Sequence, residues 1–192
     1  MCGQAIRTPI DSVTMNEDVT ITARATIEIE ESVSTIVWWL WARRAVREVE
    51  DARAARQTPS QVDNLPAIVF AIAAAAFALD GVALDFERPY GGKGHHPAIA
   101  VGRQRGDQIA AVFLHEIGNT SDPAGWRTRM HDLFELRNAF AAHPETVPAS
   151  GAVSPARAAL TLQAAEDAVA LLRECLAALH DGGRVPVSDD LL

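Results

Sequence analysis

Apolar residues recur at helical spacing along most of this chain. From Ile27 the pattern runs through Val33, Ile36, Val37, Leu40 and Trp41, and good helix formers continue to Arg56. With Asn16, Glu17 and Asp18 as a helix start, this predicts a first helix over residues 18–57. Residues 18–30 also alternate apolar and polar with a period of two, so a short N-terminal strand is the alternative there. Thr58, Pro59 and Ser60 break the helix. The second predicted helix, residues 65–86, is apolar all round and so needs neighbours on most sides, at the centre of the fold. A Gly- and Pro-rich stretch, residues 88–97, predicts an irregular loop too flexible to be core. A third helix is expected over residues 107–117. A fourth starts after Ser121-Asp122-Pro123, a cap with proline in the first turn, and ends at His143. Residues 144–151 read as a linker, and Ser154-Pro155 opens a last helix to about residue 180.

The expected fold is therefore all-α, an antiparallel bundle of four to five helices with short connections. It occupies residues 16–181, between a flexible N-terminus, 1–15, and a flexible tail, 182–192.

The most informative segment is Leu133 to Pro144. On a helical projection Met130, Leu133, Leu136, Phe140 and Ala141 share one apolar stripe, and Arg137 projects from its middle. A guanidinium there needs an anion, either a carboxylate from another helix or a ligand. Asn138 follows, and His143 precedes Pro144, whose ring disfavours the α conformation at the residue before it. On an unbroken helix Arg137 and His143 point roughly 120° apart and lie about 9 Å apart along the axis. A helix end at His143 frees the imidazole to swing, and a second copy in a dimer can supply the other half of a site.

An arginine, a polar residue and then a histidine, with five residues between Arg137 and His143 in the context ELRNAFAAHP, resembles the HEPN (higher eukaryotes and prokaryotes nucleotide-binding) superfamily. The resemblance spans roughly residues 27–180. It implies a dimeric, metal-independent endoribonuclease of the kind found in toxin–antitoxin pairs, phage defence and RNA processing. RNA is then the substrate, a second copy of the chain a partner, and a cognate antitoxin or regulatory protein a further candidate. By that resemblance His143 acts as general base or acid, Arg137 grips the scissile phosphate, and Asn138 holds the phosphate or the imidazole. The alternative within the resemblance is a non-catalytic module binding a nucleotide, an RNA or a protein. Outside it, Arg137 is simply paired with an internal acid. Members silenced by nucleotidyl transfer carry a tyrosine two residues after the histidine; here that position is Glu145, and Tyr90 is the single tyrosine.

Composition narrows these readings. With 192 residues and 48% hydrophobic content the chain can bury a core without staples. Two cysteines, Cys2 and Cys175, make no disulfide framework, and the first residues lack a secretory pattern, so a cytoplasmic setting is expected. The longest apolar stretch, residues 65–79, is short for a bilayer span, and no membrane association is expected. A net charge of −8 opposes general attraction to nucleic acid. Any RNA contact must be local, with Arg103, Arg105, Arg127, Arg129 and Arg137 as candidates for a patch against the alternative of scattered surface arginine.

Other constellations carry less. His115-Glu116 begins like a zinc-helix motif, but Asn119 stands where the second histidine is required. His95-His96 reads as a surface pair, Gly91-Gly92-Lys93-Gly94 as a turn, His131 as solvated, and Cys175 as inert in a helix. No metal or cofactor is expected. Asp80 and Asp85, acids on the apolar second helix, each want a partner, and Arg137 is a candidate for one of them. The Val37-Trp38-Trp39-Leu40-Trp41 cluster presents aromatics in most directions around its helix, which points either to a second subunit or to core with one exposed Trp.

Overall fold

The computed structural model describes residues 38–56, 65–100, 103–118, 122–142 and 158–192. All lie in one compact unit, Ile36–Leu192. Five helices account for most of them: α1 (residues 38–56), α2 (Leu65–Glu87), α3 (Arg105–Ile117), α4 (Pro123–Ala142) and α5 (Leu162–Asp181). A single 3-10 turn, Arg88–Tyr90, follows α2, and no strand occurs among the described residues. The all-α expectation is met. The helix-or-strand alternative for residues 18–30, the flexible N-terminus 1–15 and the linker 144–151 lie outside the described residues.

Three pairs of neighbouring helices run antiparallel. Trp38 lies against Gly81 while Trp41 lies against Phe77, so α1 and α2 run in opposite senses. Gly106 meets Phe134 while Ala111 shares a cavity wall with Arg127, which makes α3 and α4 a hairpin. Trp126 reaches Glu174, and Leu136 lies beside Ala164, so α4 and α5 are antiparallel too.

Helix α2 is the axis of the bundle because its side chains are small. Ala71, Ala74, Ala75, Ala76, Ala78 and Ala83 are buried, letting the neighbouring backbones approach closely and leaving Ile72, Leu79 and Val82 to fill the gaps. By length and apolarity alone this helix could cross a membrane, yet most of that stretch is buried against the other helices, as the sequence predicts for a core helix.

The helix ends follow local chemistry. Pro89 cannot continue α2, and Gly91, at φ 104°, closes the turn by donating its N–H to the Arg88 carbonyl. Asp122 caps α4 through the Gly125 N–H at 2.9 Å. Helix α5 begins later than Ser154-Pro155 suggests: residues 159–161 are not helical, because Thr161 is extended and its hydroxyl accepts from the Ala164 N–H at 3.1 Å, a cap that starts the helix at Leu162.

The last residues are not the loose tail expected for 182–192. Val187 and Leu191 are buried in the core, the Arg184 N–H closes the end of α5 on the Leu179 carbonyl, and Asp190 pairs with Arg43 on α1. Two apolar side chains at the right reach outweigh the glycines before them.

The α3–α4 hairpin depends on Gly106. A Cβ there would stand 2.9 Å from the Met130 carbonyl oxygen and 3.1 Å from the His131 Cα, both backbone atoms that cannot turn aside. Gly106→Ala should therefore force the two helices apart and cost about 1–3 kcal/mol. The midpoint of a urea or thermal unfolding transition reads this loss directly, and an unchanged midpoint would mean that the hairpin is looser than described here.

Candidate functional site

The site is assembled from acids on α2 and cations on three other segments. Asp80 and Glu87 lie seven residues apart on α2, nearly two helical turns, so they share a face. Arg105, the first residue of α3, spans them. Its Nε donates to Asp80 Oδ1 at 2.7 Å, its Nη2 lies 2.6 Å from the same oxygen, and its Nη1 donates to Glu87 Oε1 at 2.7 Å. Glu87 is wholly buried, and its other oxygen accepts the Gly94 N–H. Lys93 Nζ reaches Asp80 Oδ2 at 3.2 Å. Asp85, the other acid on this helix, pairs with Arg88 at 3.3 Å; its carboxyl pKa is raised by burial, against the pull of Arg88 and of a hydrogen bond from Trp38.

Arg137 comes to the same place from α4. Its guanidinium lies over the Phe134 ring, 4.5 Å from the centroid, and 5.7 Å from that of Phe77 on α2. Only 17% of the side chain is exposed. Nη1 lies 3.9 Å from Asp80 Oδ2, beyond hydrogen-bond reach, while Nε and Nη2 both donate to Asn138 Oδ1, at 3.3 and 2.9 Å. Asp80 thus gives its short contacts to Arg105, and Arg137 is left with a neutral amide and two aromatic faces. Desolvation lowers the Arg137 pKa, Asp80 partly restores it, and the like charge of Arg105 lowers it further. Among the described residues three cations, Arg105, Arg137 and the solvent-exposed Lys93, share two carboxylates, so the half-buried Arg137 is compensated only in part, by its long contact to Asp80.

Of the three residues predicted for chemistry, Arg137 and Asn138 are together, with Asn138 exposed. His143 lies outside the described residues; α4 is described as far as Ala142, the residue before it. The suggested partnership between Arg137 and an acid of α2 is present, though only as the long contact to Asp80. The arginines do not form one patch. Arg129 pairs with Glu174 on α5, raising its own pKa and holding that carboxyl below its usual value. Arg103 and Arg127 line a cavity of about 190 Å³ elsewhere on the α3–α4 hairpin. Only Arg105 and Arg137 share the Asp80 environment.

Two expectations about side chains need correction. His96 is not on the surface: it is 2% exposed, with Nε2 3.1 Å from Glu116 Oε1, so part of the loop judged too flexible for core is core. His131 is not simply solvated but half-buried beside Asp107, at 3.5 Å. Cys175 is buried as expected, and burial pushes its thiol pKa far up, which keeps the sulfur protonated and unreactive. Sequence reasoning missed Arg105 as the main partner of Asp80. The signal was a cation at the start of an amphipathic helix, at the position where the chain returns to α2.

Comparison with protein-family models, with curated proteins and with solved structures found no match to this chain.

The unequal sharing of Asp80 can be read from stability. Asp80→Asn strips Arg105 of one of its two charge partners in a largely buried setting, and a loss toward the lower end of about 3–5 kcal/mol is expected, since Glu87 remains and Asp80 keeps some solvent access. Arg137→Ala removes a cation–π contact and a long ion pair, and should cost only about 0.5–2 kcal/mol. Chemical denaturation of the two variants checks this order. If Arg137→Ala proves the more damaging, Arg137 is the structural partner and not a free cation.

Proposed function

We propose that this chain is a metal-independent endoribonuclease of the HEPN type, acting as a dimer on a restricted RNA. The observation that carries the reading is the only partly compensated charge of Arg137, desolvated, joined to Asn138, and six residues before a histidine that precedes a proline in the sequence. A phosphodiester brings one negative charge and two free oxygens, and a guanidinium with spare donors meets it with charge-assisted hydrogen bonds. Asn138, whose amide oxygen already takes two Arg137 donors, keeps its NH₂ for a second oxygen.

The chemistry then follows. His143 takes the proton of the ribose 2′-hydroxyl, and the 2′-oxygen attacks the adjacent phosphorus. The P–O5′ bond breaks, and a second imidazole, from the other copy, returns a proton to the leaving 5′-oxygen. The products are a 2′,3′-cyclic phosphate and a 5′-hydroxyl. Arg137 stabilises the charge gathering on the non-bridging oxygens. Histidine suits both proton transfers because it titrates near neutral pH.

The aromatic cluster supports the dimer. Trp38 is buried, but Leu40 is 59% exposed and Trp41 37% exposed, and Trp41 tilts against the exposed Phe77 at 5.1 Å. Phe77 is the ring beneath Arg137, so this apolar surface runs up to the site. A second copy seated on it would bring two Arg137 side chains toward each other.

A cognate antitoxin or regulatory protein and a cytoplasmic location belong to the same proposal. The second reading, a non-catalytic module that binds a nucleotide, an RNA or a protein, uses the same charge without turnover.

Two experiments separate these readings. Incubated with a mixed RNA pool in chelator at neutral pH, the full chain should yield cyclic-phosphate ends. His143→Ala should slow this about 10²–10⁴-fold and Arg137→Ala about 10²–10³-fold. Stabilisation by RNA without cleavage would select the binding module, and no response to RNA would end both readings. Light scattering should give a dimer for the parent and a monomer for Leu40→Asp/Trp41→Asp, with its helical content intact. A monomeric parent removes the proposal that two copies share the site.

A further inference from the structure

His96, His115 and Glu116 meet where the loop after α2 folds back on the end of α3. One nitrogen from each histidine and one carboxylate oxygen lie within 4.8 Å of one another. His96 Nε2 and Glu116 Oε1 are 3.1 Å apart, so the carboxylate need draw back only a few tenths of an ångström to reach the about 3.3–3.6 Å between two tetrahedral ligands with bonds of about 2.0–2.2 Å. His96 is a fixed point: its side chain is fully buried, held edge-on between Tyr90 and His115, with 5.0 Å between ring centroids on each side. His115 is exposed, and among the described residues its ring makes no hydrogen bond and no ring contact other than with His96, so it can close the remaining distance by rotation. Arg184 donates to the backbone carbonyl of Glu116 and leaves its carboxylate to face His96.

We propose that these three side chains bind one divalent transition-metal ion of the zinc type, with water completing the coordination. Two imidazoles and one carboxylate select such an ion over magnesium or calcium, which prefer all-oxygen shells. The sequence hides the site because its ligands do not follow the helical zinc pattern: His115 and Glu116 are consecutive, and the third ligand comes from nineteen residues earlier, counting from His115 to His96.

Binding has a stated cost. The Ala98 N–H donates to His96 Nδ1 at 3.2 Å, so without an ion Nε2 carries the ring proton and donates it to Glu116. The ion takes the place of that proton, which moves to solvent or to Nδ1 with loss of the Ala98 contact. The return is a clip between the loop and α3. The same loop gives the Gly94 N–H to Glu87, which holds Arg105, so the clip would stiffen the scaffold of the Asp80 site without entering its chemistry.

The test uses the full chain stripped with a chelator, titrated with Zn²⁺ by calorimetry and with Co²⁺ by visible absorption. One saturable equivalent is expected. His115→Ala and Glu116→Gln, both at positions with solvent access, should each weaken it at least tenfold while the circular dichroism spectrum stays that of the parent, and His131→Ala should not weaken it. No saturable binding by the parent, a loss of less than tenfold in either ligand variant, or an equal loss in His131→Ala overturns the proposal. None of these readouts involves RNA, so the outcome is independent of nuclease activity.

Discussion

Arg105 bridging Asp80 and Glu87 is the interaction on which the rest of the structure depends. An apolar central helix that carries two acids on one face cannot be buried until those charges are met. One guanidinium meets both, with a fork that suits two carboxylates nearly two turns apart. Because Arg105 opens α3, this pairing sets where α3 lies on α2. Gly106, the next residue, then admits the α4 backbone at closest approach. The register of α4, and with it the position of Arg137, follows from an ion pair to which Arg137 is only an onlooker.

That order explains why Arg137 has spare capacity. A guanidinium locked to an internal acid would show short, paired contacts, and Arg105 has them at 2.6–2.7 Å. Arg137 has a 3.9 Å approach to an oxygen already shared with Lys93, and otherwise a neutral amide and ring faces. Its neighbours desolvate it and neutralise it only in part. A cation held away from water costs free energy, and the proposed phosphate contact would lower that cost. On the proposed reading the arrangement serves ligand binding more than stability.

Helices were legible wherever the apolar period was long: α2, α3 and α4 lie within two residues of where the pattern puts them. Proline and the caps marked their ends. Asp80 was legible as an acid in need of a partner, but the identity of that partner was not, since Arg137 and Arg105 are equally polar in a string of letters and only the antiparallel return of α3 puts one of them closer. His96 and the tail were misjudged for one shared reason. Glycine and proline in residues 88–97 and 182–186 signal turns, and turns say nothing about whether the side chains just beyond them reach the core. His96 and Leu191 both do.

The charge balance of the whole chain limits what the site can do. At net −8 the mean field repels a polyanion, but at physiological ionic strength that field is screened beyond about 8 Å, so it governs encounter and not contact. Within contact distance the surplus around Arg137 dominates. A single local cation without a basic approach surface binds a phosphate only after something else has positioned the strand. Selection among RNAs would then rest on shape or on a second protein, not on the electrostatic capture that basic nucleases use. On the proposed reading the exposed Trp41 and Phe77 beside the site are taken up by the second copy, so positioning the strand would fall to the dimer as a whole.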